Sequence, residues 1–202
     1  MKSFLKKVYL ILKFRKFKFS ILQNKTNRKN ELNLDHKYDF VVILTQFKRE
    51  NLALQLEAIK KQTKKPDLTI VFQNELHIDI EELKEFYDFH HVQNTFNTKY
   101  FGRFSYCLNF NANSIIIMDD DIIPGPCCFE SYINQMESLD AIVGGNGRIA
   151  EINPNKDQLY HPPDIGIRPE STLVDFVGHL WCFKHKWIHQ LFTIQPSTLQ
   201  TG

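Results

Sequence analysis

The chain has few cysteines, few glycines and no long uninterrupted run of apolar residues. Its four cysteines, Cys107, Cys127, Cys128 and Cys182, form no CxxC pair and lack the spacing of a zinc site. This argues against a disulfide framework and a zinc finger, and it indicates free thiols in the reducing cytoplasm. The eight glycines form no Gly-rich phosphate loop, so the common nucleotide-binding loops are not expected.

Acidic residues are absent from the first thirty positions, which carry ten lysines and arginines. The segment FLKKVYLILKFRKFKFSIL lacks both the run of about 18 apolar residues that spans a bilayer and the cleavage site of a signal peptide. A basic amphipathic segment of this kind can lie on an anionic membrane surface or remain a solvated tail. We predict a basic N-terminal segment over residues 1–36, with peripheral membrane contact through residues 1–30 as one alternative, and a domain over residues 37–202.

The overall composition is that of an ordinary globular protein. Hydrophobic residues make up 43% of the 202 positions and charged residues 24%, which allows one sizeable core. The formal net charge is +2. Overall charge therefore gives no reason to expect a nucleic-acid partner.

Hydrophobic patterning alternates between strands and helices. Four short apolar runs are typical of strands: Asp39–Thr45, Asp67–Phe72, Ser114–Met118 and Ala141–Val143. Four stretches with helical spacing lie between them: Glu50–Gln62, Ile78–Phe89, Lys99–Asn111 and Cys127–Ser138. This order predicts an α/β domain with a mostly parallel sheet. A turn is predicted at Gly144–Gly147, then a proline-rich surface loop over Asn153–Pro169, before an apolar pattern resumes at Thr172–Phe183.

Polar residues follow three of the predicted strands at the point where each strand ends. These groups are Thr45–Arg49, Gln73–Asn74 and Asp119–Asp121. The carboxyl ends of parallel strands share one edge of the sheet, and ligands bind beyond that edge. We therefore expect the three groups to lie at one site.

Three consecutive aspartates follow the strongest strand signal, in the stretch SIIIMDDDIIPG. Residues two apart in an extended segment point the same way, so Asp119 and Asp121 can share a target while Asp120 faces elsewhere. A carboxylate pair suits a hard divalent cation such as Mg2+ or Mn2+, which would also offset the repulsion among the carboxylates. The alternative is an acidic turn in which one aspartate caps the next helix.

The stretch HKWIH is a rival metal signal, because it places His185 and His189 four residues apart. On a helix the two imidazoles would share a face, but zinc needs a third protein ligand. No acid or cysteine follows the pair, so solvated or core histidines are the favoured interpretation.

Four segments occur in an order that resembles one enzyme class: DFVVILTQFKRE, DLTIVFQNE, TKYFGRFSYCLNFNANSIIIMDDD and LVDFVGHLWCFKHKWIHQLF. They resemble nucleotide-sugar glycosyltransferases of the GT-A fold, of the family 2 type and the exostosin C-terminal domain type. The resemblance covers residues 38–192, most of the chain. It implies a Rossmann-like, three-layer fold with a mostly parallel central sheet.

The resemblance also implies roles for individual residues. Thr45, Arg49 and Asn74 would contact the nucleoside, and Arg103 would lie near the base or the diphosphate. Asp119 or Asp120 would meet the ribose. Asp121, with Asp119 as its partner, would hold Mn2+ or Mg2+ against the phosphates. Two residues have simpler alternatives, since Arg49 could be solvated beside Glu50 and Asn74 could be a turn residue.

In the enzymes that this chain resembles, an acidic pair that supplies the catalytic base follows an aromatic-rich helix, which corresponds here to the end of the segment LVDFVGHLWCFKHKWIHQLF. No acid follows Asp175 in this chain, so we expect the acceptor and base end of the domain to be incomplete and the base to lie beyond Gly202. Asp175 and His179 could substitute, although a capping aspartate and a core histidine are the favoured interpretations. Trp181 and Trp187 could stack on a sugar, although core positions are favoured for both.

The predicted function is transfer of a sugar from a nucleoside diphosphate sugar, uridine-linked, to a glycan, lipid-linked or surface polysaccharide acceptor. A catalytically silent module that only binds nucleotide sugars is the first alternative. A metal-dependent nucleotidyltransferase is disfavoured because QFKRE replaces a glycine-rich loop after the first strand. Hydrolysis is disfavoured because no nucleophile or second metal cluster accompanies the aspartates.

Overall fold

The structure is a computed structural model that describes residues 32–149, 151–153, 158–160 and 171–193. The basic segment 1–30, most of the predicted proline-rich loop and the final stretch QPSTLQTG lie outside the described residues. None of the described helices is long and apolar enough to cross a bilayer.

Strands and helices alternate along the described part of the chain. The strands are β1 (Lys37–Gln46), β2 (Leu68–Asn74), β3 (His90–Asn94), β4 (Asn111–Met118), β5 (Val143–Arg148), β6 (Glu151–Asn153), β7 (Gln158–Tyr160) and β8 (Phe176–Lys184). The helices are α1 (Leu52–Lys60), α2 (Phe101–Tyr106), α3 (Cys128–Leu139) and α4 (Ile188–Thr193). Short 3₁₀ segments lie at Glu81–Glu85, Cys107–Asn109 and His185–Trp187.

Six strands form one central sheet in the order β3-β2-β1-β4-β8-β5. Strands β1 to β4 run parallel to one another, whereas β8 is antiparallel to both β4 and β5. Strands β6 and β7 form a separate two-stranded hairpin. The predicted α/β class with a mostly parallel sheet is confirmed.

Helices cover both faces of this sheet. Along β1, Phe40, Val42 and Leu44 pack in a cluster with side chains of α1 and α3. The intervening Val41 and Ile43 pack in a second cluster with side chains of α2 and Ile188, the first residue of α4. Because successive strand residues point to opposite faces, a run that is apolar at every position fits only a strand covered on both sides. The predicted three-layer arrangement is confirmed.

Most of the predicted elements are confirmed within a few residues. Strands β1, β2 and β4 coincide with the predicted runs at Asp39–Thr45, Asp67–Phe72 and Ser114–Met118, and helices α1 and α3 with the stretches Glu50–Gln62 and Cys127–Ser138. The apolar pattern at Thr172–Phe183 corresponds to β8.

The predicted turn at Gly144–Gly147 is wrong, because these residues belong to strand β5. A Cβ atom added at Gly144 would lie 2.3 Å from the Cβ atom of Val177 on β8. A Cβ atom added at Gly147 would lie 2.7 Å from Val174 Cγ1. The glycines therefore allow a close approach of chain segments, and glycine is not a turn signal here.

Two helix predictions are too long, and three strands, β3, β6 and β7, have no counterpart among the predictions; β7 lies within the predicted loop. The stretch Ile78–Phe89 forms only the 3₁₀ segment Glu81–Glu85, and Lys99–Asn111 contains α2 and a following 3₁₀ turn. Strand β3 is a half-buried edge strand with the polar sequence HHVQN. Its composition lacks the apolar alternation by which strands are recognised.

Candidate metal centre

The three aspartates lie at the carboxyl edge of the sheet, directly after strand β4. Met118 ends that strand and is fully buried. Strand β4 lies between β1 and β8, and Met118 pairs with Leu44 on one side and with Leu180 on the other. The carboxyl end of β1 and the beginning of β8 therefore flank the aspartates.

Asp119 pairs with a buried arginine. Arg103 on α2 is 3% exposed, and its Nη1 donates hydrogen bonds to Asp119 Oδ1 and, at 3.2 Å, to Thr45 Oγ1. The guanidinium carbon lies 4.7 Å from the centroid of the Trp181 ring and 5.0 Å from the centroid of the Tyr100 ring. Pairing and cation–π contacts of this kind offset part of the cost of burying a charge.

Burial raises the pKa of the Asp119 carboxyl above its ordinary value, and the Arg103 guanidinium opposes this only in part. The Nε and Nη2 groups of Arg103 are buried without a hydrogen-bond partner among the described residues. Thr45, Arg103 and Asp119, three of the predicted site residues, thus form one contact cluster at the sheet edge.

Asp120 and Asp121 pair with a different arginine. Arg49 lies in the segment between β1 and α1, with its Nε 3.5 Å from Asp120 Oδ1 and its Nη1 3.1 Å from Asp121 Oδ2. The Arg49 side chain is 56% exposed. Arg49 therefore contacts two carboxylates, and the interpretation of Arg49 as a solvated residue beside Glu50 describes only part of its environment.

Asp121 also faces a histidine on the neighbouring strand. Its Oδ1 atom is buried without a hydrogen-bond partner among the described residues, and it lies 3.8 Å from Nδ1 of His179. One ligand atom each from Asp119, Asp121 and His179 lies within 4.8 Å of the others. Two carboxylate oxygens and an imidazole nitrogen form a donor set that a divalent cation accepts.

An irregularity in β8 gives His179 this position. Gly178 on β8 pairs with Asn146 on β5, and Trp181 on β8 pairs with Gly144 on β5. Between these two pairs, β8 advances by three residues and β5 by only two, which is a β-bulge in β8. His179 has a φ of 64°, which is rare for a residue other than glycine. Its carbonyl accepts the Asp119 amide at 2.9 Å. Such bulges re-aim a side chain, and the interpretation of His179 as a core histidine is wrong, because its side chain is 42% exposed.

Two side chains of the α1 region hold the aspartate segment in place. Gln55, which is 1% exposed, donates from Nε2 to the carbonyls of Asp119 and Ile122, both at 2.8 Å. The side-chain amide of Asn51 donates to the Asp120 carbonyl at 3.1 Å. The backbone of the three aspartates is therefore anchored to α1, while their carboxylates face the edge of the sheet.

Asn74 lies one strand further from the aspartates, at the end of β2. Its amide donates to Asn97 Oδ1 at 2.8 Å, and its carbonyl oxygen accepts the amide and the hydroxyl of Thr98 at 2.8 and 2.9 Å. The structure places Asn74 at the predicted edge, and these bonds fasten the loop before α2.

The remaining candidates have other surroundings. Trp181 contacts Arg103 and donates from Nε1 to the Val177 carbonyl at 2.8 Å, and Trp187 packs beside Lys184. His185 hydrogen-bonds the Cys107 carbonyl at 2.8 Å. Asp175 is exposed just before β8 and donates its backbone amide to the Arg148 carbonyl.

A cavity lies away from the aspartates. It has a volume of about 670 Å³ and lies at the opposite end of β1 and β4, where it is lined by residues such as Lys37, Ser114 and Lys184. None of the predicted site residues lines it. The chemistry of the aspartate edge, and not this cavity, therefore identifies the candidate site.

Comparison with models of known protein families and with curated sequences finds no match. Among solved structures, the chain is similar to S. aureus TarS 1-349, with 13% identity, a TM-score of 0.50, and coverage of 78% of this chain and 50% of that one. It is also similar to the mannosyltransferase PcManGT from Pyrobaculum calidifontis, in complex with GDP-Man and Mn2+, with 13% identity, a TM-score of 0.48, and coverage of 90% and 53%.

The chain has the GT-A fold. It spans about half the length of the structures that it matches. At 13% identity the similarity concerns the fold, and the site must be argued from its own residues.

The sequence does not predict Gln55 as a contributor to the site within this GT-A fold, and it offers His179 only as a substitute for the catalytic base and not as a possible metal ligand. Gln55 is one position of an amphipathic helix, and only the tertiary structure brings its amide to the aspartate backbone. His179 follows a glycine in a strand-like segment, and its position beside Asp121 depends on the irregularity in β8. The signal in the sequence that could have indicated this position is a histidine directly after a glycine near the start of a strand.

Proposed function

We propose that this chain is a metal-dependent glycosyltransferase domain that uses a nucleoside diphosphate sugar. The observation that carries the proposal is the convergence of Asp119, Asp121 and His179 at the carboxyl edge of a GT-A sheet. Ligands bind at this edge in α/β folds. Among the described residues, the buried Oδ1 of Asp121 has no hydrogen-bond partner. This supports a cation there, because a buried carboxylate oxygen needs a compensating charge or donor.

The donor set favours Mn2+ over Mg2+. Mg2+ prefers an octahedral shell made of oxygen ligands and water, whereas Mn2+, a transition metal that also suits carboxylates, accepts a histidine nitrogen more readily than Mg2+ does. Asp121 and His179 would hold the cation directly. Asp119 would contribute the oxygen that Arg103 leaves available, since Arg103 already binds Oδ1.

When bound, the cation supplies Lewis-acid stabilisation of the charge that develops on the departing diphosphate. The resemblance implies that Arg49 contacts the nucleoside, but its position beside Asp120 and Asp121 favours charge-assisted hydrogen bonds to phosphate oxygens instead. Thr45, Asn74 and Asp120 are the residues that we assign to the nucleoside side, as the GT-A resemblance implies. Uridine is the proposed base, and the acceptor is proposed to be a glycan or a lipid-linked sugar.

Calorimetric titration of UDP, GDP and ADP, each with and without Mn2+, tests the proposal. We expect one nucleotide, UDP, to bind only with Mn2+, and Asp121→Asn to abolish that binding. Asp35→Asn is the matched control, because Asp35 is exposed and precedes β1, at the opposite end of that strand from the aspartates. Failure of a folded protein to bind any of the three nucleotides would contradict the proposal.

A further inference from the structure

We propose that Arg49 makes the metal centre selective for a cation already chelated by a diphosphate and disfavours the free cation. This inference rests on the proposed function, since it assumes that the aspartates hold a metal–nucleotide unit. It goes further because it assigns to one side chain, Arg49, the preference for a metal–diphosphate complex over the free metal ion.

The first step is the position of the Arg49 guanidinium. Its Nη1 lies 3.1 Å from Asp121 Oδ2, and its Nε lies 3.5 Å from Asp120 Oδ1. Asp121 belongs to the cluster of possible metal ligands. A cation that approaches this cluster must therefore compete with a positive charge that already binds one of its ligands.

The second step is the charge of the centre. Asp119, Asp120 and Asp121 face two guanidinium groups, of Arg49 and Arg103. Three carboxylates and two guanidinium groups together carry a formal charge of about −1. Without Arg49 this charge would be about −2, so Arg49 weakens the attraction of the centre for a free dication. A cation bound to a diphosphate carries a net negative charge, which Arg49 attracts, and has oxygens that can accept the hydrogen bonds of Arg49.

The third step is the difference in freedom between the two arginines. Arg103 is 3% exposed and binds both Thr45 and Asp119, so it stays in place. Arg49 has a side chain that is 56% exposed, while its backbone carbonyl accepts a hydrogen bond from Gln46 Nε2 at 3.3 Å. Arg49 can therefore exchange carboxylates for phosphate oxygens without moving the chain, and its planar fork suits both partners.

Two binding measurements on the same variants test this role. Free Mn2+ is titrated by electron paramagnetic resonance without nucleotide, and UDP is titrated by calorimetry at saturating Mn2+. For Arg49→Gln we expect free Mn2+ to bind roughly fivefold more tightly, because a nearby positive charge is removed. UDP should bind roughly tenfold more weakly, because a charged phosphate contact is lost.

Lys48→Gln is the matched control, because it removes the same charge from the same segment. Lys48 lies over the Phe47 ring, 4.9 Å from its centroid, so both affinities should stay close to those of the wild type. Opposite changes in the two affinities of Arg49→Gln support the inference. Changes of the same sign, or no change in free Mn2+ binding, would overturn it.

The outcome for the wild type separates the two proposals. If wild-type protein binds no nucleotide with Mn2+, the proposed function itself fails. A second outcome concerns Arg49 alone. In it the wild-type protein binds Mn2+ and UDP, Asp121→Asn binds neither, and Arg49→Gln alters neither affinity in the expected direction. That outcome would contradict only the role of Arg49.

Discussion

His179 combines an unusual backbone conformation with a half-exposed imidazole beside Asp121. Its φ of 64° lies in the left-handed region, which costs a residue with a Cβ atom free energy. The neighbouring Gly178 has no such φ. Strain of this kind persists where surrounding structure fixes it, and it is frequent at functional sites.

Replacing His179 by glycine should separate folding from metal binding. The change relieves roughly 1–2 kcal/mol of backbone strain in the folded protein. The greater freedom of glycine in the unfolded chain lowers the free energy of unfolding by roughly 0.5–1 kcal/mol, which offsets part of this gain. The Tm of His179→Gly should therefore equal or exceed that of the wild type. Its Mn2+ affinity should fall by roughly tenfold or more, since even residues that only orient a ligand contribute that much.

His179→Ala is the control, because it loses the imidazole and keeps the strain. It should lose Mn2+ affinity to the same extent as the glycine variant and should have the lower Tm of the two. Unchanged Mn2+ affinity in both variants, measured by electron paramagnetic resonance, would exclude His179 as a ligand.

At the scale of elements, helix α1 determines how the aspartate segment leaves β4. Gln55 donates two hydrogen bonds of 2.8 Å to the carbonyls of Asp119 and Ile122. These bonds bracket the turn that carries Asp120 and Asp121. The geometry of the carboxylates is therefore coupled to the packing of α1 against the sheet.

Gln55→Leu should destabilise the protein and weaken the site together. The substitution leaves two carbonyls without their donor, which costs roughly 1–3 kcal/mol in the free energy of unfolding. Urea denaturation measures this loss, and Mn2+ titration measures the accompanying fall in affinity. Gln190→Leu, at an exposed position of α4, should change neither quantity, and equal stability of the two variants would contradict the anchoring role.

The close approach of β5 and β8 leads to a second prediction at the scale of elements. A Cβ atom at Gly144 would lie 2.3 Å from Val177, so Gly144→Ala should cost roughly 1–3 kcal/mol through overpacking. Gly125→Ala is the control, since a Cβ atom there meets nothing within 4 Å. Thermal unfolding that ranks the two variants equally would show that β5 can move away from β8 at no cost.

The same elements show what local sequence patterns can predict. Strands β1 and β4 were predictable because their central runs, FVVIL in β1 and IIIM in β4, are buried on both faces and apolar at every position. The extent of β5 was not, since the glycines that continue it beyond Val143 allow a close approach to β8, which is distant in sequence. Strand β3 was not, since an edge strand with one half-buried face needs little apolar patterning.

At the scale of the whole molecule, the sheet brings the site together from distant parts of the chain. The order β2-β1-β4-β8 places Thr45, Asp119 and His179 side by side. The aspartates and their edge of the sheet were predictable, because a parallel sheet places its carboxyl ends together. The position of His179 beside Asp121 was not, because His179 comes from an antiparallel strand whose pairing no local pattern indicates.

The distribution of charge along the chain leads to a prediction about its surface partner. Ten of the 25 lysines and arginines lie in the first thirty residues. Deleting residues 1–30 should abolish co-sedimentation with vesicles that contain anionic lipid, because each basic residue near such a surface contributes about 1 kcal/mol. Nucleotide binding by the shortened protein should persist. Equal sedimentation of both proteins, or binding to neutral vesicles alone, would contradict this role for the segment.

The most direct measurement of the central claim is the anomalous diffraction of crystals grown with Mn2+ and UDP. We predict an anomalous peak within coordination distance of Asp121 and His179, with the diphosphate on the same ion and the Arg49 guanidinium turned toward the phosphates. A nucleotide bound at another edge of the sheet, or a manganese peak that no aspartate of this group contacts, would contradict the account.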